Sequence, residues 1–164
     1  MKQQCHVAMI YFTWIFYLGG LVFLGMESLW AYWIGWLIAV PVFEWLYVRK
    51  FPRMAPAMGY GNIADESPSA PVIAPVDVTL YTALGCPFCP LIEQRLEGLR
   101  GQAGFTLRKI DVTLRPDLLA SKGIRSVPVV EIGGKLLVGL VSTKELAAAL
   151  AEAGAATTAG TRAG

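Results

Sequence analysis

Two long apolar runs near the N-terminal end constrain this chain more than any other feature of its sequence. No charged residue occurs over 7–24, and a second apolar run over 29–48 contains a single acid, Glu44. A helix needs about 20 apolar residues to cross the hydrocarbon core of a bilayer. Aromatic side chains gather at membrane interfaces, and all five Trp lie within these first 48 residues. The sequence therefore predicts two transmembrane helices, over about 7–25 and 29–48, in a hairpin that occupies 1–50.

Two other structures for these runs are less favoured. A signal peptide has a shorter apolar segment that ends in a small-residue cleavage site, and no such site is evident here. A soluble helical hairpin would carry polar stripes at helical spacing, whereas these runs are apolar on all sides. We therefore expect a multi-pass membrane protein with the lipid bilayer as a partner.

Basic residues near the ends of the two runs predict their orientation. Lys2 precedes the first run, and Arg49, Lys50 and Arg53 follow the second, while the connecting turn carries only Glu27. Lys and Arg are enriched in cytoplasmic segments beside transmembrane helices. We therefore expect both ends of the hairpin, and the domain that follows it, to face the cytoplasm. The net charge of +2 gives no reason to expect nucleic acid as a partner.

Composition divides the remainder of the chain into a linker, a domain and a tail. Five of the ten prolines fall within 51–75, which has little apolar patterning. A flexible linker of this length spans roughly 25–30 Å. Residues 76–153 carry the patterning of a folded domain. The tail over 154–164 is rich in Gly, Ala and Thr and lacks core-forming side chains, so disorder is predicted there.

The chemistry is concentrated in the motif Cys86-Pro87-Phe88-Cys89. An extended apolar run precedes it and a helical pattern follows it, which predicts that Cys86 is exposed at a helix N-terminus. Backbone N–H groups and the helix dipole favour a thiolate there and typically lower a thiol pKa from about 8.5 to roughly 3.5–7.5. Cys89 is then placed to attack a mixed disulfide formed on Cys86. The motif therefore indicates a dithiol oxidoreductase.

Three other interpretations of the motif can be weighed. A structural zinc site needs about four ligands, yet the only further Cys and the only His are Cys5 and His6, far upstream. A structural disulfide closing so short a loop would restrain little of the unfolded chain. A copper-chaperone domain also carries CxxC at a loop–helix junction and is the more serious competitor.

Apolar patterning within 76–153 predicts four strands and three helices. The helix after the motif has one apolar face at three- and four-residue spacing, formed by Leu91, Ile92, Arg95, Leu96 and Leu99. Ser142 and Glu145 form a capping box that opens the last helix, from which Leu146 and Leu150 should face inward. The predicted order is β-α-β-α-β-β-α, with strands at 78–81, 105–112, 127–132 and 135–138 and helices at 90–100, 116–122 and from 142 onward.

Taken with this order, the CPFC motif and the later Ser126-Val127-Pro128 junction resemble the thioredoxin superfamily, and by size its small glutaredoxin-like members. The resemblance covers about half of the chain. It implies an α/β thioredoxin-like fold in which Cys86 attacks, Cys89 resolves, and Pro87 and Phe88 tune potential and access. It also implies a cis Val127–Pro128 bond that docks a substrate strand beside the thiols. Copper chaperones run β-α-β-β-α-β and lack the second motif.

The sequence departs from the family at the positions that determine which reductant the domain can use. Glutaredoxins that use glutathione carry a Lys shortly before the first Cys, where this chain has 82–85 without one. They also have Gly-Gly and an acid before the last helix, where this chain has 139–142 with one Gly and no acid. Thioredoxins carry a buried Asp in the preceding strand and a Trp before the first Cys. This chain has Leu80 and Gly85 near those two places, and Tyr81 is only a weak candidate for the proton acceptor.

The predicted function is a membrane-anchored thiol–disulfide oxidoreductase, working as a reductase of protein disulfides that include those of membrane proteins. The expected reductant is a dithiol or flavoprotein, and no cofactor or metal is expected beyond the redox-active Cys86–Cys89 disulfide. Near the membrane, Cys5 is interpreted as an incidental or acylated thiol and Glu44 as a headgroup-level carboxylate. The alternatives are a tethered protein that handles a metal or iron–sulfur cluster with CxxC thiolates across a dimer, and an inactive membrane adaptor.

Overall fold

The structure, a computed structural model, describes residues 3–27, 30–59 and 76–161, without the side chains of Gln102 and of residues 156–161. Two apolar helices precede a mixed α/β domain. In chain order the elements are β1 (Cys5–His6), α1 (Val7–Met26), α2 (Trp30–Met54), β2 (Asp77–Thr82), α3 (Cys89–Ala103), β3 (Thr106–Asp111), α4 (Pro116–Lys122), β4 (Ser126–Val127), β5 (Val129–Ile132), β6 (Lys135–Val138) and α5 (Thr143–Thr161).

The helices α1 and α2 form the predicted hairpin and are long and apolar enough to cross a membrane. They approach closely at Gly20, where an added Cβ would lie 2.9 Å from the Trp36 ring. The Trp36 indole N–H donates to the Tyr17 carbonyl oxygen at 3.3 Å. Small residues at such positions let two membrane helices approach each other closely.

The helix α2 extends further than the sequence predicted. The linker was expected from residue 51, but α2 continues to Met54 and a turn follows to Gly59. The reason lies in Phe51, which is only 2% exposed and packs against Leu91 of the domain. Pro52 lies in the last turn of α2. Residues 60–75, the remainder of the predicted linker, lie outside the described residues.

The domain is built on a four-stranded sheet in the order β3-β2-β5-β6. The pair β2–β3 is parallel, whereas β5 is antiparallel to both β2 and β6. The element order from β2 to α5 is the predicted one, with Pro128 dividing the third predicted strand into β4 and β5. The chain therefore has a thioredoxin-like fold, and the element order of a copper chaperone is excluded for this domain.

The core of the domain lies between the sheet and the helices α3 and α5. The predicted inward residues of α5, Leu146 and Leu150, are buried, as are all five residues of the predicted face of α3. Full burial of one such aliphatic side chain contributes about 1.5–3 kcal/mol. Arg95, the polar member of that face, donates from Nη1 to the Val141 carbonyl oxygen at 2.6 Å. The capping box is confirmed, because the Glu145 N–H donates to Ser142 Oγ at 3.3 Å.

The helix α5 contradicts the expected disorder of the tail. It continues to Thr161, whereas the sequence predicted a structureless segment from 154. Alanine has the highest intrinsic helix propensity, and the end of α5 is rich in it, so a helix can continue there without core-forming side chains. Ala153 also contacts the β5–β6 turn, where a Cβ added to Gly133 would lie 2.9 Å from the Ala153 Cβ.

The strand β1 was not predicted. It pairs antiparallel with β4, placing Cys5 opposite Val127 and His6 opposite Ser126. Two residues are too few to show the alternation that marks a strand in a sequence. The pairing brings the N-terminal end of the chain onto the edge of the domain that carries the Val127–Pro128 bond.

Candidate active site

The CPFC motif lies in the loop that joins β2 to α3. Cys86 sits in a turn, where its N–H donates to the Ala83 carbonyl oxygen at 3.2 Å. The helix α3 begins only at Cys89, with Phe88 as its N-cap residue. Both thiols are free and buried, and Cys86 is only 1% exposed. The prediction that Cys86 is exposed at a helix N-terminus is therefore wrong for this arrangement.

The second predicted motif lies against the first. The Val127–Pro128 bond is cis, as predicted. The Val127 carbonyl oxygen lies 4.0 Å from the sulfur of Cys86, and Val127 is completely buried. The fold therefore brings the predicted docking residues to the predicted nucleophile, although 41 positions separate Cys86 from Val127 along the chain.

The strand β1 covers this pair of motifs. Cys5 pairs with Val127, and its side chain packs into the same cluster as Cys86 and Cys89. The Cys5 and Cys86 thiols lie close enough to shift each other's pKa. Val7 and Ile10, from the start of α1, complete the cover. The sequence did not predict this position of Cys5 beside the nucleophile, and its interpretation as an incidental or acylated thiol stays untested.

The thiols of Cys5 and Cys86 have raised pKa values. The hydrogen bond from Cys5 lowers the pKa of Cys86, but the hydrogen bond to Cys89 and burial outweigh it and raise that pKa to about 12. The hydrogen bond to Cys86 and then burial raise the pKa of Cys5. The expectation of a lowered Cys86 pKa is therefore contradicted for this arrangement.

Both helices of the hairpin contact the domain beside the motif. The Phe88 and Phe51 rings meet edge to face, with centroids 5.4 Å apart. The Tyr11 hydroxyl of α1 donates to the Thr113 carbonyl oxygen at 2.7 Å. An aromatic pair such as Phe88–Phe51 contributes about 0.5–1.5 kcal/mol beyond the burial of its area. The candidate site is thus formed jointly by the domain and the ends of α1 and α2.

Glu44 of α2 lies beside the loop that leads to Cys86. Gly85 has φ of +81°, and a Cβ there would collide with the Glu44 carboxylate. Glu44, Gly85, Cys5 and His6 also line a shared cavity of about 280 Å³. Glu44 is thus part of the candidate site, for which the only hint in the sequence was its position as the single acid in an apolar run. Its interpretation as a headgroup-level carboxylate stays a prediction.

Tyr81 was considered as a weak proton acceptor. Its hydroxyl donates to Glu131 at 2.6 Å, and Lys122 binds the same carboxylate at 2.7 Å. Burial, followed by the hydrogen bond to Glu131, raises the pKa of Tyr81. The hydroxyl is therefore engaged with Glu131. Within the described ranges, no three His, Cys, Asp or Glu side chains are placed to hold a metal ion.

Comparison with known protein families assigns the domain. Residues 77–151 match the family described as Glutaredoxin-like domain (DUF836). These residues are therefore similar to a glutaredoxin-like domain. The match contains the CPFC motif, the cis Val127–Pro128 bond and the capping box, and it ends within α5. A comparison with curated proteins finds no significant match.

Solved structures similar to the chain include two redox proteins. A mutant thioredoxin from Halobacterium salinarum NRC-1 is 23% identical, with a TM-score of 0.44 over 56% of this chain and 96% of its own. The alkylhydroperoxide reductase component AhpF from Enterococcus faecalis is 19% identical, with a TM-score of 0.49 over 63% of this chain. The chain covers 53% of that AhpF protein, about half of its length.

Proposed function

We propose that the chain is a membrane-anchored thiol–disulfide oxidoreductase that reduces protein disulfides. The observation that carries this proposal is the contact between Cys86 and the cis Val127–Pro128 junction within a glutaredoxin-like domain. Thiol–disulfide exchange needs a thiolate, an accessible disulfide sulfur and a second thiol to complete the reaction. Cys86, the substrate and Cys89 supply these in turn.

The reaction proceeds through a mixed disulfide. The Cys86 thiolate attacks one sulfur of the substrate disulfide, and the other sulfur leaves as a thiolate that takes up a proton. The Cys89 thiolate then attacks the Cys86 sulfur and releases the reduced substrate. Two electrons have passed to the substrate, and the Cys86–Cys89 disulfide remains. A two-electron reductant restores the dithiol.

The exposure of α1 and α2 supports the membrane anchor. Of the most apolar segment of each helix, only 6% in α1 and 0% in α2 is buried against the rest of the described chain. Large apolar surfaces left uncovered in this way are expected of helices that contact lipid. The start of α1 and the end of α2 both contact the domain, so the catalytic site lies at the membrane surface. The basic residues after α2 favour the cytoplasmic side.

The reductant is proposed to be a dithiol or a flavoprotein. In glutaredoxins that use glutathione, backbone near the Gly-Gly turn before the last helix clamps the tripeptide. In this chain the N–H of Leu140, at that place, donates to the Gln3 carbonyl oxygen at 2.6 Å. The N-terminal segment therefore competes with glutathione for a backbone donor, in addition to the missing charged side chains.

The proposal is tested with the full-length protein in lipid nanodiscs. The rate of insulin disulfide reduction is measured with dithiothreitol as the final reductant. We expect Cys86→Ser to abolish the catalysed rate and Cys89→Ser to accumulate a mixed disulfide on Cys86. Ser121→Ala, an exposed change on α4, is the matched control and should leave the rate unchanged. Catalysis that survives Cys86→Ser would refute the proposal, and bound iron or zinc without reductase activity would favour the metal-handling alternative.

A further inference from the structure

The N-terminal strand and its thiol have no role in the reaction described above. We propose that Cys5 is a third redox-active cysteine, which exchanges with Cys89 for a disulfide bond to Cys86, and that β1 occupies the substrate-docking edge as an intramolecular substrate. This inference rests on the proposed function, because it requires Cys86 and Cys89 to exchange disulfides. It adds a residue, a second disulfide and a resident occupant of the docking edge.

The contacts of β1 hold Cys5 in one register on the domain. Backbone bonds fix both ends of the segment, from Leu140 N–H to the Gln3 oxygen at 2.6 Å and from Val7 N–H to the Arg125 oxygen at 3.2 Å. Between them, the Ser126 hydroxyl donates to Gln4 Oε1 at 2.9 Å. A slip of one residue would turn every side chain of the strand to the opposite face. These bonds therefore specify that the Cys5 side chain is the one directed at the site.

The position of Cys5 is the one that a substrate sulfur would take. Its backbone pairs with Val127, and its side chain joins the buried cluster that contains Cys86 and Cys89. Antiparallel addition of a strand to an exposed edge is a common mode of peptide recognition. Here the added strand comes from the chain itself, so an external substrate strand must displace β1 before it pairs with Val127.

The exchange step balances without any external oxidant. It starts from the Cys86–Cys89 disulfide, with Cys5 deprotonated by solvent. The Cys5 thiolate attacks the Cys86 sulfur, the Cys5–Cys86 bond forms, and the Cys86–Cys89 bond breaks. Cys89 leaves as a thiolate and takes up one proton from solvent, so no electron is gained or lost. The two disulfides are isomers whose ratio reports the stability of the β1 pairing.

The test uses the full-length protein in phosphatidylcholine nanodiscs, oxidised with diamide, which accepts the two electrons and two protons. After free thiols are blocked with N-ethylmaleimide, digestion and mass spectrometry quantify the disulfide-linked peptides. We expect the wild-type protein to contain both the 86–89 and the 5–86 disulfides. Cys89→Ser should form the 5–86 disulfide in nearly every molecule, and Cys5→Ser should form only the 86–89 disulfide.

A matched control moves the thiol by one position along β1. In the Cys89→Ser background, Cys5→Ser combined with His6→Cys places a thiol on the opposite face of the strand, at a side chain that is exposed. Because neighbouring side chains of a strand point to opposite faces, we expect at least about tenfold less disulfide to Cys86 than with Cys5 in place. Equal yields in the two variants would show that proximity in sequence, and not the β1 register, forms the bond, and would overturn the inference.

The failure of this inference is distinguishable from failure of the proposed function. If the wild-type protein reduces insulin and forms the 86–89 disulfide, but no 5–86 peptide appears in it or in Cys89→Ser, Cys5 is not a redox partner and the reductase assignment stands. If neither disulfide forms and no insulin is reduced, both proposals fail. The wild-type measurement decides the matter even where Cys89→Ser does not fold.

Discussion

Truncation of Ile10 should uncover Cys86. Ile10, in α1, is 9% exposed and belongs to the same buried cluster as Cys86 and Val127. Replacing a buried Ile by Ala typically costs about 2–5 kcal/mol. The lower end of that range applies, because the side chain lies at the rim of the cluster. A loss of about 2 kcal/mol raises the population in which α1 and β1 are detached by about thirtyfold.

The alkylation rate of Cys86 measures that population. While α1 and β1 are in place, Cys86 is only 1% exposed and its pKa is raised, so the thiolate that an alkylating reagent attacks is scarce and covered. Labelling therefore proceeds through the detached state, and its rate follows the population of that state when reclosing is fast. We expect iodoacetamide to label Cys86 about thirtyfold faster in Ile10→Ala than in the wild-type protein.

The neighbouring residue supplies the control. Met9 lies on the same helix but is 66% exposed, so Met9→Ala should change the rate of Cys86 labelling by less than about twofold. The rates are obtained by quenching the full-length protein in nanodiscs and quantifying the Cys86 peptide by mass spectrometry. If Ile10→Ala labels at the wild-type rate, α1 does not shield the nucleophile and the argument from burial is refuted.

Three further outcomes are expected. Gly85→Ala should lower the thermal unfolding midpoint, because the φ of +81° at Gly85 and its contact with Glu44 both oppose a Cβ. Gly98 lies within a helix with open space around it, so Gly98→Ala should raise the midpoint slightly. Equal midpoints for the two variants would contradict this. Lys122 and Tyr81 lower the pKa of Glu131, so this carboxylate adds stability above its unfolded pKa of about 4.3, and that stability is lost as pH falls through the lower folded pKa. In acid titrations followed by circular dichroism, Glu131→Gln should therefore lose less stability over that pH interval than the wild-type protein. Parallel titration curves would speak against the interaction. The Cys86–Cys89 disulfide should be reduced faster by a thioredoxin-reductase-type flavoprotein system than by glutathione at physiological concentration, and efficient turnover with glutathione and glutathione reductase alone would show that a glutathione site has been rebuilt from other residues.

Much of the domain could be predicted because its signals are local. The spacing of Leu91, Ile92 and Leu96 marks the inner face of α3, and Ser142 with Glu145 marks the start of α5. These patterns depend on helical periodicity and on capping within a single turn. The cis Val127–Pro128 bond was implied by the resemblance carried by two short motifs, and it is present.

The features that were missed depend on contacts between distant parts of the chain. Cys5 meets Val127 only after the whole domain has folded, and Glu44 meets Gly85 only because α2 docks on the domain. No local pattern encodes either contact. The raised pKa of Cys86 depends in part on such contacts, because the hydrogen bond from Cys5 lowers it whereas the hydrogen bond to Cys89 and burial raise it further. Disorder was predicted for the tail because it lacks core-forming residues, but an alanine-rich segment can form a helix without them.

The pairing of β1 with β4 also sets an order of events during synthesis. Gln4 and Ser126 are 122 positions apart, so β1 must wait until the residues between them have been synthesised before its partner strand exists. Contacts of such long range form late because the loop between them must first be closed. The nascent protein therefore passes through a period in which its thiols are uncovered and open to oxidation or capture. Pairing of β1 with β4 ends that period and covers the reactive sulfur.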